Sequence, residues 1–157
     1  MKLHICAVGR MRAIDPERAI FDDYVTRFNR TARPLGLGPL TEHEVDDRKG
    51  GGMTAEADLL ARAVPAGALV VTMDERGTVM SSPEFATGLA KWRDDGRQDV
   101  AFVIGGADGI APVFRAKADT SLSFGRMVWP HMLVRVMLAE QLYRAATILG
   151  GGPYHRA

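Results

Sequence analysis

Only one cysteine, Cys6, occurs in the chain, which excludes an intramolecular disulfide and any cysteine-rich zinc site. It falls in the apolar run Leu3-His-Ile-Cys-Ala-Val8. Free cysteine is among the most buried residue types, so a core role is favoured over a nucleophile. No apolar run approaches the roughly 20 residues that a membrane-spanning helix requires, and the first residues read as a β-like run without a cleavage-site pattern. A cytoplasmic protein with no membrane segment is therefore expected. Charge of one sign is equally scarce: 20 Lys and Arg against 19 Asp and Glu leave a net charge of +1. Whole-chain basicity, the usual footprint of a nucleic-acid binder, is absent, so any RNA contact must rest on local charge.

Two nucleotide signatures are missing too. No Gly-Lys-Ser or Gly-Lys-Thr exists, and the first strand leads into Gly9-Arg-Met-Arg12 instead of Gly-x-Gly-x-x-Gly, which disfavours nucleotide hydrolysis and ordinary hydride transfer. The four histidines are scattered; His131 and His155 find no third ligand at a recognisable spacing, so no metal is expected.

What is present suits one domain, 1–157: hydrophobic content of 46% and charged content of 25% are ordinary for a globular chain of this length. Lys2 to Val8 reads as a buried strand closed by Gly9. Asp15-Pro-Glu17 is a helix start, with Ile20, Tyr24 and Phe28 forming an apolar row to about Arg30. Arg33 to Pro39 reads as a loop, Leu40 to Val45 as a more exposed strand, and Asp46 to Gly52 as a surface loop in which Arg48 and Lys49 are a solvated turn. Thr54 is placed to cap a helix running to Val64, and Ala68 to Met73 is a third strand. Ser82-Pro-Glu84 opens another helix with Phe85, Leu89 and Trp92 behind it. Val100 to Ile104 is a fourth buried strand, Pro112 leads a short helix, and Ser121 to Phe124 is a fifth strand.

This alternation predicts an α/β fold, a mostly parallel sheet with helices on both faces. Ligands of such sheets bind beyond the C-terminal strand ends, where glycines let backbone come close. Three strand ends carry suitable loops: Met73 to Gly77, Gly105 to Gly109 and Gly125 to Pro130. The last element is a long helix with an apolar stripe of Val134, Met137, Leu138, Leu142, Ala145 and Ile148. Arg135, Glu140, Tyr143 and Arg144 stand outside that stripe. Glu140 and Arg144, spaced i, i+4, could be a surface pair contributing about 0.2–0.5 kcal/mol, and spacing leaves their role open. The chain then turns through Gly150-Gly-Gly152 into Tyr154-His-Arg156, a cluster of chemical groups that no helix end requires.

Four ordered motifs, Gly105-Gly-Ala-Asp-Gly109, Pro130-His-Met-Leu-Val-Arg-Val136, Glu140-Gln-Leu-Tyr-Arg-Ala145 and Pro153-Tyr-His-Arg156, resemble those of the RlmH-type methyltransferases of the SPOUT class. The resemblance runs from Met1-Lys-Leu3 to the last residues and is densest beyond Val100. It implies an α/β fold whose C-terminal part is threaded into a trefoil knot, and a homodimer. It also implies S-adenosyl-L-methionine as methyl donor and ring nitrogen 3 of a pseudouridine in large-subunit (23S) ribosomal RNA as acceptor, on assembled ribosomes. Sequence reasoning alone would reject a knot.

Carried over by motif, Met73, Gly105, Gly106 and the run Gly125, Arg126, Met127, Val128, Trp129, Pro130 form the cofactor pocket, although burial of Met73 as core is an equal reading. His155 assists deprotonation of the base, Arg144 and Arg156 stabilise the resulting anion or anchor phosphates, and His131 and Tyr154 shape the target pocket. Trp129, Met132 and Ala107 depart from the common pattern of that family. Two other readings keep the same surface: a SPOUT methyltransferase for another RNA base, and a ribosome-assembly factor that binds RNA without turnover. Low net charge favours recognition of an assembled ribosome over free RNA, since nonspecific affinity comes mainly from phosphate neutralisation.

Overall fold

The computed structural model of the chain describes residues 1–46 and 50–157. The turn expected at Arg48 and Lys49 lies outside the described residues. Strands β1 (Lys2–Val8), β2 (Leu40–Val45), β3 (Leu69–Val79), β4 (Asp99–Ile104) and β5 (Thr120–Ser123) alternate with helices α1 (Pro16–Ala32), α2 (Gly52–Ala63), α3 (Ser82–Asp94), α4 (Pro112–Lys117) and α5 (His131–Leu149). All strand pairs are parallel, in the order β2-β1-β4-β3-β5. The central strands have no polar face. In β1, Leu3, Ile5 and Ala7 pack with Phe102 and Val71 under α1, α3 and α5, while Cys6 and Val8 pack with Ala101, Val103 and Leu60 under α2 and α4. That two-sided burial is why the strands read as continuous apolar runs. Burial pushes the Cys6 thiol up to about 12, in keeping with a core residue.

Several boundaries fall elsewhere than the sequence pattern put them. The buried face of α1 is Phe21, Phe28 and Ala32 with Tyr24 and Val25 half-buried, and Ile20 is 50% exposed. Tyr24 and Phe28 of the expected row face the core, but Phe21 takes the inward position in place of Ile20, which lies on the rim. Asp15 occupies the N-cap but turns its carboxylate back to the backbone N–H and guanidinium of Arg12, at 2.7 and 3.1 Å. Thr54 is no cap: α2 starts at Gly52, led by Gly51 at φ 99°, a left-handed conformation that glycine adopts without strain. Helix α3 is capped by Ser81, in a box with Glu84, which frees the Ser82 hydroxyl for another partner. In α5 the buried row includes Arg135, Ala139 and Thr147 beside Leu138, Leu142 and Ala145, with Val134, Met137 and Ile148 only half-buried on its flank.

Strand β3 is longer than the apolar run suggested. It pairs with β5 up to Met73↔Leu122, loops out, and resumes at Thr78↔Leu122. Asp74 to Gly77 therefore bulge from the strand toward the C-terminal edge of the sheet.

Arg135 has no exposed surface. One terminal nitrogen reaches Glu42 at 3.0 Å and Glu44 at 2.8 Å, and the other donates to the carbonyls of Val8 and Gly9 at 3.3 and 3.1 Å. Arg18 of α1 closes the cluster from outside, on Glu42 at 2.8 Å and the Met11 carbonyl at 3.0 Å. The first turns of α5 are thereby tied to the ends of β1 and β2. Removing one member of such a buried group strands the others. Arg135→Met is expected to cost about 3 kcal/mol in urea unfolding, whereas Arg12→Ala, at an exposed pair with Asp15, should stay within about 1 kcal/mol.

Candidate active site

Beyond the C-terminal ends of β3, β4 and β5 lies a cleft of about 540 Å³. Its floor is Met73, Ile104 and Leu122, the last residues of their strands or near them, and its walls come from the bulge Asp74–Arg76, the loop Gly105–Ile110 and the run Phe124–His131 apart from Arg126. The size suits a small-molecule ligand, and apolar walls with a few polar groups are the usual lining. Met127 and Val128 are 75% and 81% exposed and Trp129 is 41% exposed; these side chains rim a concave surface instead of entering the core. At Gly105 a side chain would come within 2.5 Å of the Gly109 carbonyl, so only glycine permits the loop to fold back on itself. At Gly125 the space is open but φ is +110°, a conformation that favours glycine, and the Ser123 hydroxyl holds the turn through the Gly125 N–H and C=O at 3.0 and 2.9 Å. The apolar floor and aromatic rim fit an adenosyl group, and Asp74, Glu75, Arg76 and Asp108 supply the charged part of the lining.

One wall is electrostatically fixed. Asp74, almost buried, accepts from the Arg76 backbone N–H at 2.9 Å and from its guanidinium at 2.8 and 3.0 Å, with Arg115 at 3.4 Å behind it. The Arg76 side chain holds the Asp74 carboxyl below its ordinary range, and this outweighs the opposing effect of burial. On the opposite side His131, first residue of α5, borders the cleft, and its ring lies against Gly9 at the end of β1.

The tail forms a second cluster. Glu140 Oε1 accepts from Arg144 at 3.0 and 2.7 Å and from the Tyr154 hydroxyl at 3.0 Å. Arg144 also reaches His155 Nδ1 at 3.4 Å and stacks on the Tyr154 ring at 4.7 Å. Tyr24, Tyr143 and Tyr154, the only tyrosines of the chain, stand in a row with centroids 6.2 and 4.7 Å apart. Burial, and then hydrogen bonding to Tyr24 and Glu140, raises the Tyr154 hydroxyl well above its ordinary range, so it keeps its proton and acts as a donor. Because guanidinium only donates, Arg144 makes Nδ1 of His155 an acceptor and leaves the proton of the neutral ring on Nε2.

Of the residues singled out from the sequence, Met73, Gly105, Gly106, Gly125, Met127, Val128, Trp129, Pro130 and His131 all line the cleft. Arg126 is exposed and does not line it. Arg144, Tyr154 and His155 meet one another, with Arg156 exposed at the end, but not the cleft: His131 and Arg144 are thirteen residues apart on one helix, about 20 Å at 1.5 Å per residue. Sequence reasoning passed over Ile110, Phe124 and Val134 as lining residues and Asp74 as the anchor of Arg76. The adjacency of acid and base in Met73-Asp-Glu-Arg-Gly77 was the available signal. Among the described residues no group of three or more His, Cys, Asp or Glu is arranged to hold a metal, and no helix is long and apolar enough to cross a membrane.

A family model described as "Predicted SPOUT methyltransferase" matches residues 1–155. Proteins named "Ribosomal RNA large subunit methyltransferase H" from Ruegeria sp. (strain TM1040) and Cereibacter sphaeroides (strain ATCC 17025) are 67% and 69% identical over 156 residues, covering 99% of this chain and of each relative. A solved structure of a probable methylase family protein from Haemophilus influenzae Rd KW20 aligns with a TM-score of 0.53 at 14% identity, over 99% of this chain and 70% of that one. That likeness concerns the fold alone.

The Asp74 anchor sets a pH dependence. A carboxyl with its folded-state pKa lowered contributes stability above its unfolded value, about 3.9, and that contribution is lost as pH falls through the folded value. The melting temperature of Asp74→Asn should therefore lie below wild type at pH 7, with the difference shrinking as pH falls below about 4. A constant difference across that range, followed by calorimetry, would contradict the assignment.

Proposed function

The chain belongs to the SPOUT methyltransferase family, and on that premise we propose that it methylates large-subunit (23S) ribosomal RNA with S-adenosyl-L-methionine as donor. The observation that carries this reading is the cleft, in which the strand ends and their loops supply an apolar floor and a Met127-Val128-Trp129 rim. The family assignment and full-length similarity to rRNA methyltransferases support the substrate. Met73, Gly105, Gly106, Gly125, Met127, Val128, Trp129 and Pro130 would hold the donor. Arg126, exposed beside them, is assigned to the mouth of the pocket. When bound, S-adenosyl-L-methionine supplies an electrophilic methyl group on its sulfonium sulfur.

The acceptor in this reading is ring nitrogen 3 of a pseudouridine, whose proton would pass to solvent water as the N–C bond to the methyl group forms and the C–S bond of the sulfonium breaks, the donor leaving as a neutral thioether. Positive charge beside the ring favours the anion, a task for Arg144 and Arg156. His155 assists by donating its Nε2–H to a ring carbonyl, the tautomer that Arg144 favours. Tyr154 shapes the pocket as a neutral donor, and His131 forms its wall on the cleft side. Since the tail stands about 20 Å from the cleft along α5, we assign the two halves of the site to different subunits of a homodimer. A groove of about 520 Å³ supports that assembly: Ile20, Val79, Met80 and Met137 line it, and the first three are 50%, 66% and 38% exposed, an apolar face of the kind that a partner covers.

The finer fold, all 157 residues as one domain with β4 to α5 threaded as a trefoil knot, is likewise our reading from the family. The cytoplasm is the compartment where ribosomes provide the substrate.

The test is methyl transfer from labelled donor to ribosomes from cells lacking this protein, with the product nucleotide located by mass spectrometry. A new methyl on one large-subunit pseudouridine is expected; transfer to a different base, or none, would overturn the acceptor assignment. Composite sites are tested by mixing subunits of two inactive variants, Val128→Glu in the cleft and His155→Ala in the tail. Random exchange should restore about one quarter of wild-type activity, because half the dimers then hold one intact site. No recovery after verified exchange means that the tail acts within its own subunit.

A further inference from the structure

Glu140 does more than pair with the residue one turn on. Its Oε1 receives three donors, two from Arg144 and one from Tyr154. Its Oε2 accepts from the Gln141 amide at 2.7 Å, and the amide oxygen of Gln141 accepts from the Ser82 hydroxyl at 2.6 Å. One carboxylate thus joins the tail, the middle of α5 and the first turn of α3. It is 17% exposed and Arg144 is 25% exposed, a setting where charge-assisted bonds are roughly twice as strong as neutral ones.

The tail has few other restraints. From Pro153 onward it belongs to no helix or strand. Tyr154 is held by the Glu140 carboxylate, by the Tyr143 ring and under the Arg144 guanidinium; His155 is held by Arg144. Apart from the Tyr24 hydroxyl beside Tyr154, the polar contacts of both residues therefore run to Glu140, directly or through Arg144. Glu140 and Gln141 also line the apolar groove with Ile20, Val79 and Met80.

We propose that Glu140 is the positioning residue of the tail, acting on His155 through Arg144 and Tyr154, and that its second oxygen connects tail order to the groove through Gln141 and Ser82. The proposal rests on the tail having the catalytic role assigned above. A neutral amide at 140 still accepts from Tyr154, but it offers Arg144 no charge and turns one of its two polar ends into a donor facing donors. A fixed guanidinium on Nδ1 of His155 needs the carboxylate.

Glu140→Gln in the full-length protein separates this from a general loss of fold. Amide hydrogen exchange in the ligand-free protein should speed up about tenfold or more in the peptide 150–157 and remain unchanged in β1 and β4. The Kd for S-adenosyl-L-methionine should stay within about twofold, because the cleft lies at the other end of α5, while kcat on ribosomes should fall about 100-fold, as for a misplaced catalytic group. In combination with Arg144→Met the losses should not multiply, since both act through one path. Tyr154→Phe removes one donor without altering α5 and should loosen the same peptide less; it supplies the exchange test if the Gln variant melts near assay temperature. Unchanged tail exchange, or multiplicative losses, would overturn the proposal. Wild-type protein that transfers no methyl to ribosomes would instead overturn the function above and leave the exchange result to stand on its own.

Discussion

An arginine without exposed surface, Arg135, sits where the C-terminal helix crosses the ends of β1 and β2. Taking a guanidinium out of water costs several kcal/mol even after relaxation, and the neighbouring elements supply what offsets it: two carboxylates from β2 and two carbonyls from the end of β1. Hydrophobic contacts would hold α5 against the sheet but would tolerate sliding along it. Directional bonds to four acceptors do not. The placement of His131, one turn earlier on the same face of α5, follows from that fixed point, as does its contact with Gly9.

Much of the architecture was legible because burial on both sheet faces leaves a plain mark. β1 and β4 were bounded within a residue by their apolar runs, and the parallel order followed from the alternation with helices. Helix starts were less legible. Ser81 and Ser82 are chemically equal candidates for a cap, and only the geometry of Glu84 decides between them. The row of α1 was misread only at its first member, because Ile20 and Phe21 are both apolar, and which of them points inward depends on the sheet that the helix lands on.

The candidate site divides in the same way. Residues of the cleft were legible because glycine-rich strand ends mark it, and His131 was included through the Pro130-His motif of the family resemblance. Arg135 and Arg144 could not be told apart by sequence: both are arginines on α5 outside its apolar stripe. One is enclosed by Glu42 and Glu44, more than 90 positions earlier in the chain, and the other faces its own helix and tail. Long-range acids decided the difference, and no local spacing encodes them. The bulge in β3 was invisible for a similar reason, since charged residues after an apolar run ordinarily mean that the strand has ended.

That bulge has a consequence for how the protein can diverge. Met73 and Thr78 address the same residue, Leu122, across the sheet, so the loop between them enters and leaves the ladder at one rung. Residues could be added or deleted there without changing which side chains of β3 face the core before or after it, whereas an insertion within a regular strand would invert every position beyond it. The wall carrying Asp74 and Arg76 is thereby independent of the sheet's register, while Arg115 of α4 and Ser123 of β5 hold it in place. Lineages can remodel this edge of the cleft, in length as well as in sequence, while the sheet beneath it keeps its register.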